Sequence, residues 1–582
     1  MGIAEVHLHV TEWYELHDYD VVVIGAGGAG LRAAIAAAEG GVTVGVICKS
    51  LLGKAHTVMA EGGIAAALGT VDPADTWQVH FADTMRAGQG INDCRMVALL
   101  AREAPDRIYE LERWGGVFDR TRDGRILQRW LGAHTYRRLC HVGDRTGLEI
   151  IRTLQDKAVH SGVDVHMEVT LTRLLTDGEQ IAGAFGYRRA DGRYVVFKAK
   201  AVILATGGWG KVFKVTSNSW ECTGDGCAMA YDAGAELVDM EMVQFHPTGM
   251  VWPPGVRGIL VTEAVRGEGG ILLNARGERF MERYDPKKME LSSRDVVARS
   301  IYQEVQAGRG TPHGGAYLDI SHRDAEFIKK KLPSMYEQFL KLADIDITKI
   351  PMEVAPTVHY VMGGVWVEAG TGATTVPGLY AAGEVAAGVH GANRMGGNSL
   401  ADLLVFGKRT GEHAAQYAES LRIVPAVDDR QAAEERRVLQ APFERDRGEN
   451  PYELHEQLQD VMGEDAGIAR TGSTLARGLE KILALQERTE RLYAGGSMLY
   501  NPGWHQCRDV RFMLTLCEAI LRSGIARTES RGAHWRLDYP DQDAEWGRKN
   551  VVVKREEGQM QVTTRPVPQM PPELVRLEEM QV

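Results

Sequence analysis

Four consecutive apolar residues, "VVVI" at Val21 to Ile24, run into "GAGGAG" and then into the Ala-rich stretch "LRAAIAAAE". A β-branched run, a glycine cluster and a string of small helix formers predict a buried strand, a tight turn and a helix over about Ala29 to Glu39. A second strand is predicted from Val42 in "VTVGVICKS". Two later stretches repeat the change from apolar run to glycines: "AVILATGG" at Ala201 to Gly208 and "GLYAAGEVAAG" at Gly378 to Gly388. From about Val424 to Ile525 apolar positions recur three and four apart among charges, as in "LARGLEKILALQERTERL", which predicts a helical domain. The tail turns strand-like in "NVVVKREE" and then Pro-rich and acidic, so its end is expected to be poorly ordered.

Length and composition narrow the classes. At 582 residues the chain is too long for one hydrophobic core. With 44% hydrophobic and 25% charged residues it has the make-up of a soluble multidomain protein. The net charge of −11 and the lack of a basic block give no sign of a nucleic-acid surface. The seven cysteines show no CxxC or CxxCH spacing, so no iron–sulfur, zinc or c-type haem site is expected in this chain, and the odd count suits a reducing compartment. The start, "MGIAEVHLHVTEWYELHDYD", lacks a basic segment followed by an apolar core, and no apolar run approaches the roughly 20 residues that span a bilayer.

Gly25, Gly27 and Gly30 stand in GxGxxG spacing, with Gly28 between. The first glycine turns the chain, the second admits a pyrophosphate, and the third lets helix pack on strand. The second strand ends in Cys48-Lys49-Ser50 and lacks the acidic residue that grips an NAD ribose, which argues against NAD. Glu384, in the last glycine stretch, is a candidate ribose ligand instead. Glycine turns spread from Gly25 to Gly388 imply one cofactor domain interrupted by a large insertion. His56, ahead of small residues and a Gly-Gly pair, could be a loop residue, a base, a metal ligand or an attachment point.

From about Asp20 to Pro540 the sequence closely resembles the flavoprotein subunit of succinate dehydrogenase and fumarate reductase. The resemblance is carried by "HTVMAEGGIAAAL", "TGDG" at Thr223, "MVQFHPTGM" at Met242, "LVTEAVRGEGG" at Leu260, "SRDVVARS" at Ser293, "PTVHYVMGG" at Pro356, "HGANRMGGNSLADLLVFG" at His390 and "ARTESRGAH" at Ala526. It implies an α/β fold. An FAD-binding Rossmann-like domain (1–241 and 356–423) is interrupted by an α+β capping domain (242–355) and followed by a helical domain (424–540) and a small C-terminal domain (541–582). It makes His56 the covalent tether of the flavin. It places Gly25, Gly27, Gly28, Gly30, Lys49, Ser50, Thr57, Gly62, Gly63, Thr206, Gly207, Asp225, Glu384, Ser399 and Leu400 on the cofactor. His246, Thr262, His359 and Arg394 fall on the substrate-carboxylate motifs. Arg294 falls on the proton acceptor, with Glu263 and Arg266 continuing a relay; arginine, whose pKa exceeds about 12, can do this only in a dry site linked to a carboxylate. Arg531 and His534 are weaker candidates.

The implied activity is succinate oxidation to fumarate, or the reverse, with electrons passed to an iron–sulfur subunit. Iron–sulfur clusters and any haem would belong to partners, namely that subunit plus a quinone-binding membrane anchor, holding this chain peripherally on the cytoplasmic face of the cytoplasmic membrane. L-Aspartate oxidase shares the fold, but that branch lacks the histidine at the position of His56. Adenylylsulfate reductase would need a different clamp. A non-catalytic flavin-binding protein would have a degraded dicarboxylate site. One departure stands out: many members have a cysteine where this chain has Val265.

Overall fold

The computed structural model describes residues 9–10 and 13–578. Residues 1–8 and 11–12 of the opening stretch lie outside them, as does the terminus beyond 578. The largest sheet runs in the order Asp164–His166, Val44–Ile47, Tyr14–Ile24, Tyr194–Leu204, Gln180–Arg188, Val169–Asp177. Its first four strands are parallel neighbours, and Leu379–Ala381 joins Tyr194–Leu204 in parallel at that strand's carboxyl end. Val21, Val22 and Val23 are fully buried, as a strand covered on both faces requires. That first strand begins at Tyr14, seven residues before the apolar run, because its amino half pairs residue for residue with Tyr194 to Ala199.

The helix Gly28–Glu39 packs along the long helix Asn398–Ser420, small residue against small residue: a Cβ on Gly411 would meet the Ala33 carbonyl oxygen at 2.2 Å. Sequence-distant segments thus close one core.

The insertion has its own sheet, Val243–Met250, Met352–Val361, Ala316–Asp319, Ile271–Leu273, and its own apolar cluster around Val261, Phe280, Ile301, Leu318 and Phe339. Met352–Val361 is continuous through the 355/356 boundary read from the sequence; its pairing with Val243–Met250 carries cap and flavin domain on one strand. Four long helices follow, Asp429–Gln440, Pro451–Asp465, Gly472–Arg488 and Pro502–Ala526. The tail carries the strand character read from the sequence and stays in regular structure to residue 578. Lys549–Glu556 and Gln559–Pro566 form a hairpin that extends a sheet with Leu237–Val238 and Gly364–Val365, and Pro572–Glu578 is helical.

Candidate active site

An elongated cavity opens at the carboxyl ends of the parallel strands, where Ile24, Ile47, Ala205 and Ala382 form its floor. This crevice lies outside the carboxyl ends of the parallel strands, the usual ligand position in such folds. Gly25, Gly27, Gly28, Lys49, Ser50, His56, Thr57, Thr206, Gly207, Asp225, Glu384, Ser399 and Leu400 all line it.

The glycines divide by task. Gly25 has φ +113°, and a Cβ there would stand 2.2 Å from the Ala205 carbonyl oxygen; one on Gly30 would stand 1.9 Å from the Gly25 oxygen. Gly27 has room, its nearest neighbours being Thr57 Oγ1 at 3.5 Å and Ala55 Cβ at 3.6 Å. Gly30, expected on the cofactor, therefore holds helix to strand and is not on the cavity wall. Gly62 and Gly63 are not on it either. The Gly62 carbonyl accepts from Arg129 at 2.9 and 2.7 Å. Gly63 (φ +119°) leads into a short strand pairing with Leu139–Cys140, where a Cβ would press on the Cys140 carbonyl at 2.9 Å.

Polar groups on the wall suit a dinucleotide. Thr206 Oγ1 is buried without a partner. Burial pushes the Glu384 carboxyl up to about 7. Lys49 is held charged against its own burial by Asp509 at 2.7 Å and Asp225 at 3.6 Å. Thr57 Oγ1 accepts from the Gly28 N–H at 3.2 Å, tying the His56 segment to the glycine turn. His56 Nδ1 accepts from the Ser219 N–H at 3.3 Å. Burial, reinforced by Lys211, pushes this imidazole down to about 4, so it is neutral at pH 7, with its lone pair on Nδ1 facing the Ser219 N–H. An open Gly27 cradle, an orphaned hydroxyl and a neutral histidine together fit FAD.

Beyond His359 and Tyr360 at one end of the cavity lies a dense polar cluster. Arg294, the first residue of the cap helix Arg294–Gln306, donates through Nε to Glu263 Oε2 at 2.9 Å, and its NH2 forms an ion pair with the same oxygen at 2.9 Å. Glu263 Oε1 accepts from the Gly132 N–H at 2.7 Å, and Arg266 NH2 lies 3.8 Å from Oε2. Burial alone would raise this carboxyl, but Arg294 and Arg266 outweigh it and hold it at about 2. Burial lowers the Arg266 pKa in turn. The three predicted relay residues are thus contiguous.

Arg394 is buried, with its guanidinium 4.3 Å over the Tyr360 ring. It donates to Ser399 Oγ at 2.9 Å and to Gln244 Oε1 at 3.2 Å, both neutral acceptors, and burial beside Arg294 lowers it to about 9. A buried cation among neutral partners is a site for an anion. His246 and His359 have ring centroids 5.2 Å apart, and burial drives both well below the usual imidazole range. His246 Nε2 faces the Val261 carbonyl at 3.0 Å, while Nδ1 is buried and unpartnered. Nδ1 can therefore donate to a carboxylate only once the ring takes up a proton.

Two neighbours escaped the sequence reading. Gln244 Oε1 accepts from Arg294 NH1 at 3.2 Å and from Arg394 NH2 at 3.2 Å, so one amide sits between the two arginines. Its place in "MVQFHPTGM" was the only available signal, and a glutamine carries no charge to draw notice. Glu61, whose carboxyl burial raises well above the usual range, bonds to the side chain of Thr262. Arg531 and His534 lie elsewhere: Arg531 pairs with Glu529 at 2.8 Å, and His534 meets Arg470 at 2.9 Å and the Arg527 carbonyl at 3.1 Å.

Fold, glycine cradle and buried cationic cluster define an FAD-dependent oxidoreductase. Residues 20–400 match the family model described as FAD binding domain, and residues 455–577 the one described as fumarate reductase flavoprotein C-term. A fumarate reductase (CoM/CoB) subunit of Methanothermobacter marburgensis is 46% identical over 94% of this chain and 99% of that protein. The succinate dehydrogenase flavoprotein subunit of Coxiella burnetii is 40% identical over 92% and 94%. A structure of Mycobacterium smegmatis Sdh1 in complex with UQ1 superimposes with a TM-score of 0.89 at 52% identity, covering 97% of each chain. The chain belongs to the succinate dehydrogenase/fumarate reductase flavoprotein family.

Proposed function

We propose that this chain is the catalytic flavoprotein subunit of a membrane-associated succinate:quinone oxidoreductase, converting succinate to fumarate. The observation that carries the reading is the pair of buried arginines, Arg294 and Arg394, joined through Gln244, one paired to a carboxylate and the other left without one. Arg394, His359, His246 and Thr262 hold the two substrate carboxylates, Arg394 offering the planar fork that matches a carboxylate. FAD, when bound, supplies the two-electron hydride acceptor. Arg294 takes the proton from the second methylene as it passes one of its own to the Glu263 carboxylate, since a guanidinium that holds its full set of protons has no acceptor. Its Nε already donates to Glu263 Oε2, with NH2 in ion-pair contact with the same oxygen, so the proton moves within one bonded unit, and Arg266 lies next along the path. His56, neutral and fixed by Ser219, is the covalent tether of the flavin.

Electrons leave to an iron–sulfur subunit bound to a quinone-binding membrane anchor, with the flavoprotein on the cytoplasmic face. Among the described residues no helix is long and apolar enough to cross a membrane, consistent with a peripheral subunit. The reverse direction, fumarate reduction, is the second reading, favoured by the 46% identity to a fumarate reductase from Methanothermobacter marburgensis; the same residues serve both, since a group that accepts a proton one way returns it the other.

The test has two arms on the purified complex. Succinate should bleach the flavin absorbance, and Arg294→Gln should abolish this while retaining flavin. After acid and SDS denaturation, flavin fluorescence should stay with the wild-type band and vanish in His56→Ala. No bleaching by succinate in fully loaded enzyme would overturn the dicarboxylate assignment, and fluorescence released from the wild type would overturn the tether.

A further inference from the structure

The segment from Arg531 to Arg536 touches both arginine-bearing stretches of the site while its own charged side chains are bound elsewhere. On one side the Ala533 N–H donates to the Ala392 carbonyl at 2.8 Å, two residues before Arg394. Gly532 lies so close there that a Cβ would stand 2.3 Å from the Ala392 oxygen. On the other side the Gly532 carbonyl accepts from the Arg299 guanidinium. That guanidinium also sits 5.3 Å over the Trp535 ring, which Tyr302 meets edge-on at 6.2 Å. Arg299 and Tyr302 belong to the cap helix whose first residue is Arg294.

The segment is a fixed anchor. Arg531 is bound by Glu529 at 2.8 and 3.0 Å and by the Gln89 carbonyl at 2.7 Å. Glu529 in turn joins Arg527, which reaches Asp239 at 3.0 Å. The cap helix has a second tie at its start, where Asn393 Nδ2 donates to Asp295 at 2.8 Å. Through Val297 and Ile301 the helix packs into the cap's own core, and its Glu304 is bound by Asn274, Arg283, Tyr284 and Arg309, so the helix moves with the cap. Arg299, five residues and about 7.5 Å farther along the axis than Arg294, ties this cap-borne helix to the C-terminal segment. Displacements near 1 Å are enough to cost a reaction about 100-fold in rate.

We propose that Arg299 and Trp535 form a latch by which the C-terminal segment holds the Arg294 helix in register with Arg394, making both positioning residues for the dicarboxylate reaction; the inference rests on the function proposed above. His246, Thr262, His359 and Arg394 are carried by other elements, so the latch governs the placement of Arg294 and leaves the carboxylate clamps in place.

The experiment uses the flavin-loaded complex with Arg299→Ala, Trp535→Ala, Arg299→Lys and the Ala/Ala double variant. Each alanine variant should lower kcat for succinate about tenfold with KM changed less than twofold. Arg299→Lys, which keeps a cationic donor for the Gly532 carbonyl and the Trp535 ring, should recover kcat to within threefold. The double variant should be no slower than Arg299→Ala alone. Amide hydrogen exchange over residues 297–306, measured without substrate, should quicken at least fivefold in Arg299→Ala. An unchanged kcat, a loss that lysine does not rescue, an effect on KM alone, or unaltered exchange would each overturn the latch. Quickened exchange in the variant, with no succinate turnover by the wild type, would uphold the latch and overturn the proposed reaction instead.

Discussion

Changing Gln244 to Glu replaces an amide with a carboxylate of the same shape between the two arginines. Gln244 Oε1 lies 3.2 Å from both Arg294 NH1 and Arg394 NH2, so the new charge would pair with both guanidiniums at once. Each such contact, at about 4 Å between charge centres and an effective dielectric near 20, is worth about 4 kcal/mol. The clamp that awaits a substrate carboxylate would then already hold one. A bound substrate carboxylate about 6 Å from the new charge would feel about 3 kcal/mol of repulsion by the same relation, which corresponds to roughly a 100-fold rise in KM. The amide nitrogen now donates to Asn393 Oδ1 at 2.8 Å and to the Arg394 carbonyl at 2.7 Å. The second carboxylate oxygen would face those acceptors, at a cost to folding of about 2 kcal/mol. Steady-state succinate oxidation with an artificial acceptor gives KM, and a thermal melt of the flavin-loaded protein reports the folding cost separately. A KM within threefold of the wild type in a folded, flavin-loaded Gln244→Glu enzyme would refute the assignment of this cluster as the carboxylate clamp. Gln244→Leu is the companion: with no new charge, it should leave KM within about tenfold and lower kcat, because both arginines lose a shared acceptor.

Three further predictions follow from particular contacts. Glu263 has its folded pKa depressed from 4.5 to about 2, a shift worth about 3 kcal/mol. Its stabilisation is complete above pH 4.5 and lost as the pH falls through 2. Glu263→Gln should therefore flatten the acid limb of a stability-against-pH curve and lower kcat at least 100-fold at pH 7, and an unaltered acid limb would count against a native ion pair. Val265 stands where the resemblance leads one to expect a cysteine, and all seven cysteines are buried, with Cys48, Cys222 and Cys507 pushed up to about 12 chiefly by burial. N-Ethylmaleimide should thus leave succinate oxidation unchanged; rapid loss that succinate prevents would show a reactive thiol in the site. Gly30→Ala, with its Cβ 1.9 Å from the Gly25 oxygen, should lose about 3 kcal/mol or more of stability. Gly27→Ala, whose Cβ has 3.5 Å of clearance, should fold normally and retain flavin at least tenfold less tightly; equal melting temperatures of the two apoproteins would undo this division of roles.

What the chain determined by itself is local. Turn chemistry at Gly25, the small-residue face of Gly28–Glu39 and the three-and-four spacing of Gly472–Arg488 are legible because each depends on residues within one or two turns of backbone. The spread of glycine turns also exposed the split of the flavin domain, since one strand-turn unit cannot close a dinucleotide crevice alone. The motifs named the relay and clamp residues, yet in no way showed that Arg294 and Arg394, a hundred positions apart, share the oxygen of Gln244. That contact exists only because Val243–Met250 pairs with Met352–Val361 and sets the cap over the flavin domain. The same holds for Gly30 and Gly63. The resemblance set both on the cofactor, although the GxGxxG spacing already gave Gly30 the packing of helix on strand; the fold leaves no room for a side chain at Gly30, and at Gly63 a Cβ would press on the Cys140 carbonyl. Side-chain burial made the final selection: Glu263 stays ionised at about 2 and Glu384 rises to about 7 because two arginines surround the first, and for the second burial outweighs the charges near it, a difference that only the folded environment creates.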